Sequence, residues 1–251
     1  MNESLIFIET STLVCSVAIS KGESICSERV VKEPKAHARI IPQLLREVIT
    51  ESGITIDECS AVCVSSGPGS YTGLRVGVSF AKGLCYGSGK PLISVSSLEL
   101  LAHCAINGIK TDILQPITLK SETASENLYI PLKEFRYIVP MIDARRMEVY
   151  TALFSNNGDS LTPVEAHIIE SDSFSKELNE GLILFCGDGA EKEAQAITHP
   201  NARFTPLDST ASGMLRPALR KLINTEFEDV AYFEPFYLKD FIAGISKKRL
   251  F

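Results

Sequence analysis

Apolar positions along this chain fall into short runs and helical repeats that alternate in a regular order. Leu5 to Ile8 is an apolar run, Glu9-Thr10-Ser11-Thr12 a polar turn and Val14 to Ile19 a second run; Lys21-Gly22-Glu23 then turns into a third run through Ser24 to Val31. Runs of this length separated by turn residues predict a three-strand meander. Ile41, Leu44, Leu45 and Val48 repeat at i, i+3, i+4 and i+7, which predicts an amphipathic helix from about His37 to Ser52, with Pro42 tolerated near its first turn. A strand at Ala61 to Val64 empties into a Gly/Pro turn that opens a helix. A strand at Leu92 to Val95 and a helix capped by Ser96 or Ser97, with Glu99 close behind, complete the first part. The order β-β-β-α-β-α-β-α predicts a mixed sheet covered by helices.

The opening pattern returns downstream. Ile8-Glu9 matches Ile142-Asp143, and at the same offset Ala18 meets Ala152, Ile19 meets Leu153, and Lys21-Gly22-Glu23 faces Asn156-Asn157-Gly158. A third strand near Val164 to Ile169, a short helix at Phe174 to Leu178, a strand at Leu182 to Phe185, the turn 186–190 and a helix through Ile197 follow. An internal repeat of this kind implies two similar lobes. The expected organisation is an N-terminal lobe over 1–106, an insertion or connection over 107–137 with weak periodicity, and a C-terminal lobe over 138–251 whose last segment packs back on the first lobe. In that tail, Ala218 to Ile223 reads as a helix and Tyr232 to Leu238 as an aromatic-rich strand or extended segment.

The helix after the Gly/Pro turn is unusual in its small residues. Every fourth position gives Gly69, Gly73, Gly77, Ala81, Cys85 and Gly89, so one face is nearly bare, while Arg75, Ser79, Lys82 and Tyr86 form a polar stripe. Each glycine inside a helix costs about 0.5–1 kcal/mol relative to Ala. Close approach of another backbone is the usual compensation. The helix is therefore either squeezed between a sheet and another helix of its own chain or also packed on a partner.

Composition narrows the possibilities. The chain has 251 residues, 45% of them hydrophobic and 22% charged, which suits one large domain or two lobes. A net charge of −6 argues against a free-standing nucleic-acid binder, because phosphate contacts need a basic face. No apolar window approaches the length of a membrane span, and no leader pattern is visible, so a cytoplasmic protein is expected. The seven cysteines (Cys15, Cys26, Cys59, Cys63, Cys85, Cys104 and Cys186) sit mostly inside apolar patterns and suggest neither disulfides nor zinc spacing. The basic end Lys247-Lys248-Arg249 reads as a solvated terminus.

Candidate chemistry is confined to the turns. Acidic β-β turns in two duplicated lobes are the arrangement of ATP-binding sheets, in which each turn holds phosphate and a carboxylate organises Mg²⁺. Thr10 and Ser11 offer hydroxyls for this. The second turn, Asp143-Ala144-Arg145-Arg146, has neither glycine nor hydroxyl, and the nucleotide site is incomplete. Gly187, Asp188 and Gly189 either approach a nucleotide through bare backbone or form a plain turn. The histidines His37, His103, His167 and His199 are scattered, and no Gly-x-Ser-x-Gly elbow is present, so nucleophilic and metallopeptidase chemistry find no support.

The block Ser65 to Leu84, with Ile8-Glu9-Thr10-Ser11, Ile142-Asp143-Ala144-Arg145-Arg146, Glu148-Val149-Tyr150, Gly187-Asp188-Gly189-Ala190 and Tyr237-Leu238, resembles the TsaB (YeaZ) family. The resemblance covers both lobes and fails over 107–136. It implies an α/β, duplicated two-lobed fold of the actin-like ATPase and sugar-kinase (ribonuclease H-like) type, with mixed sheets flanked by helices. It further implies a non-catalytic scaffold subunit in making threonylcarbamoyladenosine on tRNA next to the anticodon. The implied partners are a TsaD-type transferase paralogue and a TsaE-type ATPase, with tRNA met only through the complex, no membrane, and a homodimer when the paralogue is absent. No cofactor of its own is required, although ATP or ADP binds at the complex with its partner. The implied partner interface is Gly69, Tyr71, Gly73, Leu74, Arg75, Gly77, Val78 and Ala81; the implied nucleotide contacts are Thr10, Ser11, Gly187, Asp188 and Gly189; catalytic and metal residues are none. Two departures stand out: Glu9 where the family has Asp, and His37 without the second histidine of TsaD-type helices. The alternative is a stand-alone actin-like ATPase or small-molecule kinase.

Overall fold

The computed structural model describes residues 2–110, 130–145 and 148–239. Its first sheet is built on β1 (Ser4–Glu9), whose six residues are all buried. An apolar run buried on both faces belongs at the centre of a sheet. On one side β1 pairs antiparallel with β2 (Cys15–Lys21), which pairs with β3 (Ser24–Val31); on the other it pairs parallel with β4 (Cys59–Gly67), followed by β5 (Leu92–Ser96). The strand order is β3-β2-β1-β4-β5.

The second sheet repeats that plan. Its central β6 (Phe135–Asp143) pairs antiparallel with β7 (Glu148–Thr151) and with the short β8 (Phe154–Ser155), and β7 pairs with β9 (Glu165–Ile168). On the far side β10 (Leu182–Cys186) and β11 (Ala202–Thr205) run parallel to β6, giving the order β11-β10-β6-β7-β9. The sequence repeat is thus a repeat of topology.

Helices fill three layers. Leu5 and Phe7 on one face of β1 join Phe135, Ile138, Leu184 and the apolar faces of α3 (Ser97–Lys110) and α6 (Leu215–Ile223) in a core shared by both sheets. Ile6 and Ile8 on the opposite face pack under α1 (His37–Ser52) and α2 (Tyr71–Ser88). A third core lies on the outer side of the second sheet, under α4 (Ser175–Glu180) and α5 (Ala190–Glu193). The alternation of β1 between two cores follows from the two-residue period of a strand.

Several boundaries differ from the sequence reading. The third helix runs past 106 to Lys110, and β6 begins at Phe135 rather than beyond 137. The helix after the 186–190 turn ends at Glu193 instead of continuing through Ile197, and β11 was not anticipated. Residues 232–238 form no strand; they are irregular chain. From Ala211 onward the chain leaves the second sheet: a 3-10 turn at Ala211–Met214 touches β1 and β2, α6 packs on β5, and the Glu228 N–H donates to the Leu92 carbonyl at 2.9 Å. Most of the expected insertion, together with Arg146 and the Lys247-Lys248-Arg249 cluster, lies outside the described residues.

Candidate functional site

The first acidic turn closes on itself and on α2. The Ser11 N–H donates to Glu9 Oε1 at 2.7 Å, and the Ser11 hydroxyl donates to the same oxygen. The Ser70 N–H donates to the Ser11 carbonyl at 2.6 Å, fastening the N-terminus of α2 to the turn. Ser70 caps that helix, accepting from the Gly73 N–H at 3.3 Å. Glu9, Thr10 and Ser11 are fully buried. Burial drives the Glu9 carboxyl above its ordinary range, against the hydrogen bonds from Ser11, Ser65 and the Thr10 backbone. Its second oxygen has no hydrogen-bond partner.

The bare face of α2 is what permits this closure. A Cβ on Gly69 would overlap the Ser11 carbonyl, one on Gly73 the Thr10 carbonyl, and one on Gly77 the Thr10 hydroxyl. The close approach that helical glycines imply is therefore satisfied within the chain. Of the expected partner interface, Gly73, Leu74, Gly77, Val78 and Ala81 are buried against their own molecule, and Gly69 rests on Ser11. Of that set only Tyr71 and Arg75 turn outward. Thr10 and Ser11, the expected phosphate contacts, are fully buried in this turn.

The second turn is occupied in the same manner. Gly187, at φ +116°, lies where a side chain would strike the Met141 carbonyl, and the Gly189 N–H donates to that same carbonyl at 3.0 Å. Asp188 Oδ1 accepts from the Asp143 N–H at 3.0 Å, and Asp143 Oδ1 accepts from the Arg145 N–H at 3.0 Å. The Gly187-Asp188-Gly189 backbone forms a turn tied to two strands, the Gly187 N–H donating to the Thr205 carbonyl of β11 at 3.3 Å and the Gly189 N–H to Met141 of β6. Desolvation raises the Asp188 carboxyl; the Asp143 N–H pulls it down, the Asp143 and Asp208 carboxylates push it further up, and Lys32 opposes them. Carboxylates gathered at this end of the sheet repel a polyphosphate.

The outward side of α2 has a different character. Val76, Phe80 and Leu84 are only partly buried, and with Ile49 of α1 and Ile56 of the loop after it they border two shallow apolar hollows. Gly83 and Gly87 lie one turn apart on the rim of one hollow, and a Cβ on either would meet nothing within 4 Å. These two glycines were not singled out in the sequence, although their i, i+4 spacing is the same signal as the inner stripe. Tyr86 beside them is 89% exposed. His37 faces the Val14 carbonyl, and among the described residues no cluster of His, Cys, Asp or Glu is arranged to hold a metal.

Two sheets of identical order, each with an acidic turn after its central strand, define the actin-like, ribonuclease H-like class of α/β proteins. Comparison with known proteins agrees. The family model described as TsaD, tRNA N6-adenosine threonylcarbamoyltransferase, matches residues 30–130. The chain is 27% identical over 241 residues to the tRNA threonylcarbamoyladenosine biosynthesis protein TsaB of Bacillus subtilis, covering 94% of this chain and 93% of that one. It is 30% identical over 150 residues to TsaB of Haemophilus influenzae, a match over 59% of this chain that spans about half (52%) of that relative's length. In structure it resembles YeaZ from Pseudomonas aeruginosa with a TM-score of 0.73 at 21% identity, over 94% of this chain and 100% of that one. The chain is thus similar to proteins of the TsaB (YeaZ) family along most of its length.

Proposed function

We propose that this chain is a non-catalytic partner subunit in the biosynthesis of threonylcarbamoyladenosine on tRNA, pairing with a TsaD-type transferase and working with a TsaE-type ATPase. The observation that carries the reading is the division of α2 into two faces. Its inner glycines seat Thr10 and Ser11, and its outer glycines stand open beside partly buried apolar side chains. Gly83 and Gly87 cost helix stability, and a side chain on either would meet nothing within 4 Å. A partner helix laid along them is what offsets that cost. The pairing face is then Val76, Phe80, Gly83, Leu84 and Gly87 with the exposed edge of α1, rather than the inner stripe. In the absence of the paralogue a second copy of the chain occupies the same face. The chain needs no cofactor of its own, ATP or ADP being bound where the complex forms, and tRNA is met through the complex. A stand-alone ATPase or kinase needs phosphate access to Thr10 and Ser11, which are fully buried. No helix among the described residues is long and apolar enough to cross a membrane, and a cytoplasmic site of action fits tRNA modification.

The test is light scattering coupled to size-exclusion chromatography on the chain alone and mixed with the TsaD-type paralogue from the same source. A heterodimer that Gly83→Leu abolishes while the monomer keeps its fold supports the reading. Failure to pair under any nucleotide condition overturns it.

A further inference from the structure

After α6 the chain crosses back to α2 and ends, in the described residues, on the opposite lobe. Lys82 donates to the Ala231 carbonyl at 3.1 Å and the Phe233 carbonyl at 3.0 Å. The Phe236 N–H donates to the Ser66 carbonyl at 2.7 Å, and the Phe236 carbonyl lies where Gly67 has no side chain. The Arg75 guanidinium sits 4.2 Å from the Tyr71 ring centroid and 5.8 Å from that of Tyr237, and donates to the Tyr237 hydroxyl at 3.2 Å. The two rings pack at 4.9 Å. Lys239 pairs with Glu148 at the start of β7 and lies over the Tyr150 ring.

Arg75 and Lys82 of the α2 polar stripe are thus anchors for the tail, while Tyr86 stays exposed. Ser66 and Gly67 are the carboxyl end of β4, and Glu148 follows the turn after β6. Three residues of extended chain reach about 10 Å, so Phe236 to Lys239 spans from the turn end of one sheet to the turn end of the other. In open α/β sheets that end is where ligands bind. Here both turns hydrogen-bond within their own chain.

We propose that residues 231–239 are a latch over this crevice: Lys82 and Arg75 hold it to the first lobe, and Lys239 hooks it onto Glu148 of the second, doing the bridging that a bound ligand would otherwise do. The latch is a property of the isolated chain and stands apart from the pairing reading. Its two ends are coupled, so that releasing the Glu148 hook loosens the Phe236 clasp.

Amide hydrogen exchange on the isolated chain, followed by NMR, tests this. Arg75→Ala and Tyr237→Ala each speed exchange of the Phe236 N–H by about tenfold, the size expected for removing a cation–π contact with a hydrogen bond from a locally opening segment. Glu148→Lys speeds the same amide at the far end, and the charge-reversed pair Glu148→Lys with Lys239→Glu restores protection. Melting curves and exchange in β1 and β4 remain as in the parent chain. A Phe236 amide indifferent to Glu148→Lys, or unprotected in the parent, overturns the latch; so does loss of protection that the reversed pair fails to restore.

Discussion

Gly77 of α2 faces Thr10 of the first acidic turn with no room for a methyl group between them. One turn earlier, Gly73 meets the carbonyl of the same residue. The difference between a side-chain atom and a backbone atom decides how each site answers substitution.

Gly77→Ala collides with the Thr10 hydroxyl and methyl, and overpacking of this kind costs about 1–3 kcal/mol. Thr10→Ala removes both atoms and restores much of the loss. Gly73→Ala meets the Thr10 carbonyl, which no side-chain change removes, so the same second substitution leaves it unrescued. Chemical denaturation of the two double-mutant cycles checks this: coupling at the Gly77 pair and none at the Gly73 pair is expected. For the same reason Gly77→Leu unfolds the monomer and is no clean probe of pairing.

Glu9 is buried with its carboxyl raised above its ordinary 4.5. The folded state therefore holds the proton more tightly than the unfolded chain, and the contribution of Glu9 to stability falls as pH rises from about 4.5 through the folded value. Glu9→Gln removes that slope and leaves the chain at least as stable at neutral pH. Urea midpoints measured from pH 4 to pH 8 check it; an unchanged slope in the variant contradicts the assignment.

Mg²⁺-ATP leaves the melting temperature of the isolated chain where it was, because a ligand stabilises only what it binds, and both acidic turns are committed to their own chain. Thermal melts across a nucleotide series check this. A saturable rise that Ser11→Ala removes revives the ATPase reading.

Much of the fold is visible in the sequence. The helical repeat of Ile41, Leu44, Leu45 and Val48 places α1 at the bounds the structure has, and the match of Ile8-Glu9 to Ile142-Asp143 marks the central strands of both sheets. What periodicity cannot carry is the identity of a neighbour. The Gly69-Gly73-Gly77 stripe announces that something comes close, and the structure supplies Thr10 and Ser11 where a partner was expected. Arg75 and Lys82 look like a solvated stripe because their partners, Tyr237 and the Ala231 and Phe233 carbonyls, lie some 150 residues away (149–162) in irregular chain. The four residues of β11 are too short for alternation to register.

Gly83→Ala and Gly87→Ala each stabilise the monomer by about 0.5–1 kcal/mol, since the added methyl meets nothing and the helix gains propensity. The same substitutions weaken association with the partner. Opposite signs in a melting curve and a binding titration are the expected signature of residues kept for an interface.

The most direct test of the central claim is the mass, by light scattering after size exclusion, of this chain mixed with its TsaD-type paralogue, for the parent and for Gly83→Leu. The account predicts a heterodimer for the parent and two separate monomer peaks for the variant, with the variant melting no lower than the parent. A variant that pairs as the parent does, or a parent that never pairs, contradicts it.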